Sequence, residues 1–302
     1  MGLRRKRVAN EPDDSIVRPR AGVLFLVATP IGNLADLSPR ARDTLRDADL
    51  LLAEDTRHTS QLLNACGIAR QPGTIESLHA HNERGRASRV VERLLAGERA
   101  ALVSDAGTPL VSDPGAGLVQ AAAEAGIEVV TVPGPCAAIA ALCLSGLPIE
   151  RFSFEGFLPS KSSARVRSLQ ELLYEPRTLV FYEAPHRLLE SLTDLVQVFG
   201  ADRRAAIARE ITKRFESTYR GTLGTLARRA AEDPDMSRGE IVLVVHGAEP
   251  RETAGEIEVD ALLRALIAEL PVSQAAKIAA RVSGRPRKDL YDRALALGTP
   301  RG

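Results

Sequence analysis

The chain has 302 residues, of which 44% are hydrophobic and 26% charged, and its formal net charge is +1. A chain of this length predicts two domains, and the composition is typical of a globular protein. The near-neutral charge excludes a polycation, so any nucleic acid would have to bind a local basic patch.

The residue pattern also argues against membrane and metal proteins. No uninterrupted apolar run approaches the roughly 18–20 residues of a membrane span, and no apolar signal core follows the charged N-terminus. The three cysteines, Cys66, Cys136 and Cys143, lack the spacing of a zinc site or a disulfide framework. We therefore expect a cytoplasmic protein with reduced thiols, no metal and no membrane segment.

The first half of the chain alternates apolar runs with helical patterns. Residues 1–20 mix charge and proline and predict a disordered basic tail, which either touches RNA or is merely solvated. The order of strands and helices after it predicts a mostly parallel α/β domain over residues 21–146. Strands are predicted at 23–28, 50–53, 100–103 and 127–132, and helices at about 39–48, 56–66, 82–96, 113–126 and 135–145.

The second half has a different pattern. Consecutive strands with a short link around residues 205–221 favour antiparallel pairing, so a mixed sheet is expected in a second α/β domain over 147–248. Residues 247–256 have linker composition, and 249–302 are predicted as a linker with a helical tail, in which Ser273 caps one helix. Strands are predicted at 152–156, 178–182, 205–209, 217–221 and 241–246, and helices at about 162–174, 186–199 and 222–231.

Two motifs follow the first two predicted strands. Thr-Pro-Ile-Gly-Asn-Leu at 29–34 stands where open α/β sheets bind ligands, although an ordinary turn has the same composition. Glu-Asp-Thr-Arg-His-Thr at 54–59 is either an acid/base or ribose-binding cluster or a capping cluster with Asp55 at the helix N-cap.

Two more motifs follow later strands of this half. Ser-Asp-Ala-Gly-Thr-Pro at 104–109 allows close backbone approach to a ligand, and Asp113 is predicted to cap the next helix. A dinucleotide fingerprint is absent, because Gln120 stands where its third glycine would be, and there is no P-loop. Val-Pro-Gly-Pro-Cys-Ala-Ala at 132–138 forms a rigid turn, in which Cys136 is a nucleophile or, more simply, a packed thiol.

The second half carries comparable motifs at its strand ends. Phe-Tyr-Glu-Ala-Pro-His-Arg occupies 181–187, and Arg-Glu-Ile-Thr-Lys occupies 209–213. Proline, glycine and carboxylate loops at strand ends in both halves predict a cleft between two domains.

Together with Phe-Glu-Gly-Phe-Leu-Pro at 154–159, these ordered segments resemble the rRNA small subunit methyltransferase I family, which has the tetrapyrrole-methylase fold. The resemblance covers residues 23–246 and a helical tail. It implies a two-domain α/β fold and transfer of methyl from S-adenosylmethionine to the ribose 2′-hydroxyl of a decoding-centre cytidine of 16S rRNA in the small ribosomal subunit. It also implies a homodimer.

The resemblance places the cofactor between the two domains, away from any Rossmann glycine loop. The residues implied to contact it are Pro30, Asp105, Ala106, Gly107, Thr108, Pro109, Val111, Pro133, Cys136, Ala137, Glu183, Glu210, Ile211 and Thr212.

The ribose hydroxyl must lose a proton, so a base or a desolvated lysine is expected near the cleft. Its candidates are Glu54, Asp55, Lys161 and Lys213. Arg57 and Arg187 are expected to orient phosphates, and the tail offers Lys277, Arg281, Arg287 and Lys288 to RNA.

Two alternatives stay open from the residues. Residues 273–297 read as a helix-turn-helix, which suits a nucleic-acid-binding regulator with a ligand-sensing α/β domain. A tetrapyrrole methylase acting on precorrin or uroporphyrinogen would share the fold, but the Glu-Asp-Thr-Arg segment and the basic tail argue against it.

Overall fold

The computed structural model describes residues 22–79, 82–249 and 256–298. The predicted N-terminal tail, residues 1–20, and most of the predicted linker lie outside these residues. The described chain divides into a main body, up to residue 173 together with 177–246, and a tail unit made of residues 174–176 and the segment from 247 onward. No helix among the described residues is long and apolar enough to cross a membrane.

A fully parallel five-stranded sheet forms the first half of the main body. Its strands are β1 (Val23–Val27), β2 (Leu50–Ala53), β3 (Ile75–Ser77), β4 (Ala100–Val103) and β5 (Glu128–Val132), in the spatial order β3-β2-β4-β1-β5. The predicted strands are thus present. β3 was not predicted, because three half-buried residues are too few to set an alternating pattern.

Helices cover both faces of this first sheet, so its central strands are buried apolar runs, as parallel sheets require. One face packs on α1 (Pro39–Asp47) and α2 (Thr56–Ala65), with Leu45 and Leu63 in the core. The other packs on α3 (Glu83–Leu95) and α4 (Ala116–Glu124), with Leu94 and Leu118 fully buried. Burying each such leucine contributes about 1.5–3 kcal/mol.

The prediction that Asp113 caps α4 is wrong. The helix begins at Ala116, and its N-cap is Gly115 with a φ of +124°. A Cβ at Gly115 would lie 2.5 Å from Leu102 Cδ2, so the chain passes too close to the sheet for a side chain. This tight passage leaves Asp113 in the preceding loop.

The second half of the main body is a mixed five-stranded sheet, as predicted. Its order is β6-β7-β10-β8-β9, in which β6 and β7 run parallel and the other pairs run antiparallel. The strands are β6 (Phe152–Phe157), β7 (Thr178–Glu183), β8 (Arg204–Arg209), β9 (Ser217–Thr222) and β10 (Ile241–Val245).

Alternating side chains of these strands serve two cores, following the two-residue period of a strand. Leu179, Phe181 and Leu243 pack under α6 (Ser162–Glu171), α7 (Leu188–Phe199) and α8 (Leu223–Glu232). Val180 and Val244 point to the other face, which is covered by α5 (Ala137–Ser145). α5 directly follows β5 of the first sheet, so the chain itself connects the two sheets through a helix packed on the second.

The tail unit is a three-helix cluster with its own core. Its helices are α9 (Glu256–Glu269), α10 (Val272–Ser283) and α11 (Arg287–Gly298). Leu263, Ala276 and Leu290 are buried among them, and an ion pair joins Arg293 to Asp260. Ser273 is not the N-cap expected from the sequence. The helix α10 begins at Val272, and its N-cap is Pro271.

Candidate active site

The carboxyl ends of β1 and β4 mark the point where a site is expected. These strands are neighbours, yet the chain leaves β1 toward α1 on one face and leaves β4 toward α4 on the other. Open α/β sheets bind ligands in the crevice that such a reversal opens. Two backbone hydrogen bonds join the loops at their base: Thr29 N–H donates to Gly107 O at 2.9 Å, and Gly107 N–H donates to Thr29 O at 3.1 Å.

An edge of the second sheet supplies a facing surface. The carboxyl ends of β7 and β8 meet the start of β10 there, because β10 is antiparallel to both. Ile241 accordingly lies opposite Glu183 on one side and Arg209 on the other. The segment before β10, Gly239 and Glu240, is therefore placed at the same edge as the predicted motifs.

A cavity of about 330 Å³ lies between the loops of the two sheets. We call its first-sheet side the first wall and its second-sheet side the second wall. The first wall consists of Ile31, Asp105, Ala106, Gly107, Thr108, Val111, Ser112 and Asp113. The second wall consists of Ala137, Phe157, Tyr182, Glu183, Ala184, Pro185, Ile211, Gly239, Glu240, Ile241 and Val242.

Backbone strain is concentrated at this cavity. Among the described residues, the non-glycine residues with positive φ are Leu110 at +73°, Ser112 at +69°, Glu210 at +52° and Thr212 at +65°. The first pair lies in the loop after β4 and the second pair in the loop after β8. Each such conformation costs on the order of 1–3 kcal/mol, and such strain clusters at ligand sites.

Side chains join the loops of the two sheets. The Thr212 hydroxyl donates to Asp36 Oδ2 at 2.6 Å. Lys213 lies over Gly32, where a Cβ would come within 2.3 Å of Lys213 Cγ. The Lys213 ammonium also pairs with Glu210 at 2.9 Å and with Glu240 at 3.2 Å. The Lys213 charge is therefore already balanced by two carboxylates.

Carboxylates gather at the first wall. Burial, followed by the nearby Glu54 carboxylate, raises the pKa of Asp113 to about 6. Burial, followed by the charge of Asp105, also raises the pKa of Glu54. The Asp105 carboxylate is held by the Asp55 backbone N–H at 3.1 Å and lies 3.1 Å from His58 Nδ1. Glu54 and Asp113 thus hold protons more tightly than ordinary carboxyl groups.

Asp55 has the capping role that the sequence left open. It is the N-cap of α2, and its Oδ1 accepts from the Arg57 backbone N–H at 2.8 Å. The Arg57 guanidinium also pairs with it at 2.7 Å, and this hydrogen bond holds the pKa of Asp55 far below its usual range. The Arg57 side chain is itself 85% exposed.

Glu183 on the second wall is buried and fully bonded. Its Oε1 accepts from the Ala184 backbone N–H at 2.7 Å and from Arg187 Nη2 at 2.5 Å, and its Oε2 accepts from the Ser191 hydroxyl. Arg187 is 16% exposed and also donates to Leu158 O. The pair fixes the turn between β7 and α7, and Arg187 presents little of its charge to solvent.

Tyr182 is the aromatic centre of the second wall. Its ring meets Phe154 and Phe157 edge to face, with centroids 4.9 and 5.5 Å apart. Its hydroxyl accepts from the Ala138 backbone N–H at 3.3 Å, and burial raises its pKa to about 12. Tyr182 therefore presents an apolar, neutral ring to the cavity.

The structure brings eight of the fourteen cofactor residues expected from the sequence to the cavity lining. These are Asp105, Ala106, Gly107, Thr108, Val111, Ala137, Glu183 and Ile211. Of the remaining six, five directly adjoin a lining residue in sequence, and Pro133 lies four positions before Ala137. The six are Pro30, Pro109, Pro133, Cys136, Glu210 and Thr212.

Other expected residues lie elsewhere. Lys161 is exposed at the N-cap of α6 and is not among the lining residues. The four basic tail residues are exposed on α10 and α11; they are Lys277, Arg281, Arg287 and Lys288.

Sequence reasoning missed part of the lining. Asp113 had been assigned to a helix cap, and Phe157 and Tyr182 were seen only as parts of motifs. The segment from Gly239 to Val242 was not expected at the site, because the rule used points to the carboxyl ends of strands and this segment lies at the start of one. Because β10 runs antiparallel to β7 and β8, its start lies at the same sheet edge as their carboxyl ends, and that pairing would have indicated this segment.

Comparison with known proteins agrees with this architecture. Residues 23–227 match the family model "Tetrapyrrole (Corrin/Porphyrin) Methylases", and residues 253–298 match "RsmI C-terminal HTH domain". A relative from Xylella fastidiosa strain Temecula1, named "Ribosomal RNA small subunit methyltransferase I", is 55% identical over 89% of this chain and 98% of its own.

Two solved structures share the fold at lower identity. The methyltransferase CobJ has a TM-score of 0.56 at 21% identity, covering 76% of this chain and 95% of its own. Uroporphyrin-III C-methyl transferase from Thermus thermophilus, complexed with S-adenyl homocysteine, has a TM-score of 0.51 at 18% identity, covering 74% and 97%.

Proposed function

Since the chain belongs to the ribosomal RNA small subunit methyltransferase I family of tetrapyrrole methylases, we propose that it methylates the ribose 2′-hydroxyl of cytidine 1402 in 16S rRNA. The enzyme is an S-adenosylmethionine-dependent rRNA methyltransferase. Four parts of this function are proposals: the nucleotide, the 2′-oxygen, the assembled small subunit as substrate and a homodimeric state.

The observation that carries this proposal is the near full-length relation to an rRNA methyltransferase, tail included. A tetrapyrrole methylase is less well supported, because the solved tetrapyrrole enzymes share only the fold at about one fifth identity. The regulator alternative is set aside, since the helix-turn-helix tail is itself a feature of the methyltransferase family.

The cavity suits S-adenosylmethionine in charge and in shape. The carboxylate of Asp105 complements a sulfonium cation, and Ile31, Val111 and Ile211 offer apolar contact to a flat base. Gly107 has a φ of +89°, and a Cβ there would lie 3.3 Å from Ile31 Cγ2, so a side chain would crowd the backbone that a ligand approaches.

We assign the cofactor-holding role to the eight expected residues that line the cavity. The Thr108 hydroxyl donates to Pro135 O at 2.9 Å, which ties the loop after β4 to the loop after β5. When bound, S-adenosylmethionine supplies an electrophilic methyl group. The chain's own contribution is to hold the ribose hydroxyl in line with that group and to accept its proton.

The candidate bases differ in their surroundings. Asp55 caps α2 and pairs with Arg57. Lys213 pairs with two carboxylates, and Lys161 lies outside the cavity lining. Glu54 is also outside the lining, but its charge acts on the lining residue Asp113, and its own pKa is raised. Of the four, Glu54 is the candidate best placed to act on the reaction, through its charge or its proton.

RNA binding is assigned to exposed basic side chains. On α10, Lys277 and Arg281 are one helical turn apart, and Arg287 and Lys288 begin α11. Arg57 is exposed at the first wall. Such residues contact phosphates, which position RNA without reading its sequence. Arg187 is reassigned to the support of Glu183, since that carboxylate occupies its guanidinium.

The test is transfer of labelled methyl from S-adenosylmethionine to purified acceptors. We expect incorporation into small subunits that lack this modification, less into free 16S rRNA, and none into uroporphyrinogen. Incorporation into uroporphyrinogen alone would overturn the proposal. Nuclease and phosphatase treatment of the product then shows whether the label is on a base or on a ribose. Label on a base would overturn the 2′-oxygen assignment.

A further inference from the structure

Asp113 occupies a distinctive position at the cavity. It lines the first wall in the loop between β4 and α4, and its side chain is only partly exposed. Ser112 before it has a φ of +69°, and Gly115 after it admits no side chain, so both ends of this short segment are constrained. Ser112 also reaches the second sheet, since a Cβ on Gly156 would lie 3.6 Å from its hydroxyl.

The groups that face Asp113 come from three strands. Glu54 follows β2 and Asp105 follows β4, and both carboxylates act on Asp113 by charge. Ser104, directly after β4, is within hydrogen-bonding distance of Asp113. The Asp113 charge also acts on Tyr182, which lies on β7 in the second wall. His58 lies beside Asp105, and His79 acts on Glu54. The Asp113 carboxylate therefore lines the cavity next to two other carboxylates, Glu54 and Asp105.

We propose that Asp113, which lines the cavity, accepts the proton of the ribose 2′-hydroxyl during methyl transfer, with the neighbouring Glu54 and Asp105 as positioning residues. The inference rests on the proposed 2′-oxygen chemistry. The reaction forms an O–C bond and breaks the S–C bond of the sulfonium. One proton remains, and it moves from the hydroxyl oxygen to the Asp113 carboxylate and then to water.

The surroundings match this role better than they match the role of any earlier candidate. A general base works best with a pKa near the working pH, and the pKa of Asp113 is about 6. Above that pH the group is mostly ionised and ready to accept a proton. Asp55 is a much weaker base, because Arg57 holds its pKa far below the usual range.

The first experiment measures single-turnover methylation of small subunits against pH. The wild-type rate should rise with an apparent pKa near 6. Asp113→Asn should lower the rate by about 100-fold or more and remove that rise. Glu54→Gln should keep most of the rate and shift the apparent pKa downward, because a neighbouring negative charge is lost. An unchanged Asp113→Asn profile, or loss of activity in Glu54→Gln alone, would overturn the assignment.

Binding measurements separate a proton acceptor from an electrostatic partner of the cofactor. Calorimetry should give Asp113→Asn the wild-type Kd for both S-adenosylmethionine and S-adenosylhomocysteine. Selective weakening of the sulfonium form would assign Asp113 to cofactor recognition and overturn the base role. Asp113→Glu should recover part of the rate, and the exposed Asp43→Asn on α1 is the matched control that should change neither quantity.

A third readout needs neither cofactor nor RNA. Carbon-13 NMR of aspartate carboxyls in the free protein should contain one resonance, missing in Asp113→Asn, that titrates near pH 6 and moves lower in Glu54→Gln. An Asp113 resonance that titrates near 4, the ordinary value, would contradict the inference. The wild-type enzyme could leave the ribose unmethylated while the Asp113 resonance still titrates near pH 6. That result would overturn the proposed function but would confirm the raised pKa of Asp113.

Discussion

The two walls of the cavity hold their charges in opposite ways. At the first wall, Asp113 and the neighbouring Glu54 lie near other carboxylates, and the pKa of each is raised. At the second wall, Glu183 is paired with Arg187, and Glu210, which adjoins the lining residue Ile211, is paired with Lys213. Carboxyl groups with a raised pKa can exchange protons closer to neutrality, whereas paired groups fix a shape. The contrast indicates that the first wall supplies groups that can take part in proton transfer. The second wall supplies a fixed shape.

The largest effect is expected from Glu183→Ala. It would leave the mostly buried Arg187 guanidinium without its carboxylate and should lower the free energy of unfolding by about 3–5 kcal/mol. Urea denaturation measures this. The exposed Asp235–Arg238 pair is the control, and Asp235→Ala should cost less than about 1 kcal/mol. Similar small costs for both would contradict a rigid second wall.

A smaller effect is expected from Gly115→Ala on the first wall. The methyl group would overlap Leu102 Cδ2 at 2.5 Å and Leu110 Cδ2 at 2.9 Å, so crowding should add about 2 kcal/mol to about 1 kcal/mol of backbone strain. Gly126 has a φ of +73° and open space around it, so Gly126→Ala isolates the strain alone. Thermal and chemical melts compare the two. Equal destabilisation would mean that the Asp113 loop is free to move.

The pH dependence of stability should have opposite signs on the two walls. The folded state keeps the Asp113 proton to higher pH than the unfolded state, so this group destabilises the fold as pH rises from about 4 to about 6. Asp113→Asn should therefore match the wild type near pH 4 and exceed its stability at pH 7.5 by about 1–2 kcal/mol, allowing for solvent screening.

Glu210 should behave in the opposite way. Burial alone would raise its pKa, but the hydrogen bonds from Lys213 and the Glu240 N–H lower it overall. Its stabilisation is present above the ordinary carboxyl pKa and is lost as pH falls through the folded value. Glu210→Gln should destabilise the protein at pH 7.5 and lose that effect in acid. The same sign for the two variants at pH 7.5 would refute the contrast between the walls.

The smallest effect is expected in the tail. Lys277→Ala removes one exposed charge and should reduce RNA affinity severalfold, lowering the slope of log affinity against log salt by about 1. Lys277→Arg keeps the charge and is the control. Cofactor affinity, measured by calorimetry, should be unchanged in both. A changed cofactor Kd would contradict the assignment of Lys277 to RNA.

Much of the fold could be predicted because its elements are strongly patterned. The apolar runs at Leu50–Ala53 and Ala100–Val103 are strands with the expected bounds, and the short link between β8 and β9 gave their antiparallel pairing. β3 was missed because three residues carry no period. The packing of α5 on the second sheet was also missed, since its mostly small apolar residues do not indicate which sheet they cover.

The site was predictable where it follows the ends of parallel strands. Asp105 to Thr108 and Glu183 were found by that rule and line the cavity. Asp113 was misread because an aspartate before a proline resembles a helix cap, whereas the close approach of Gly115 to Leu102 delays the helix. The role of Glu210 as a bonded partner of Lys213 also depends on distances that only the folded chain sets.

The most direct test of this account is mass mapping of 16S rRNA after reaction with the purified enzyme on small subunits that lack the modification. The account predicts a gain of one methyl group on the ribose of cytidine 1402, and a much slower gain with Asp113→Asn. A methyl group on a base, or on a ribose outside the decoding centre, would contradict it.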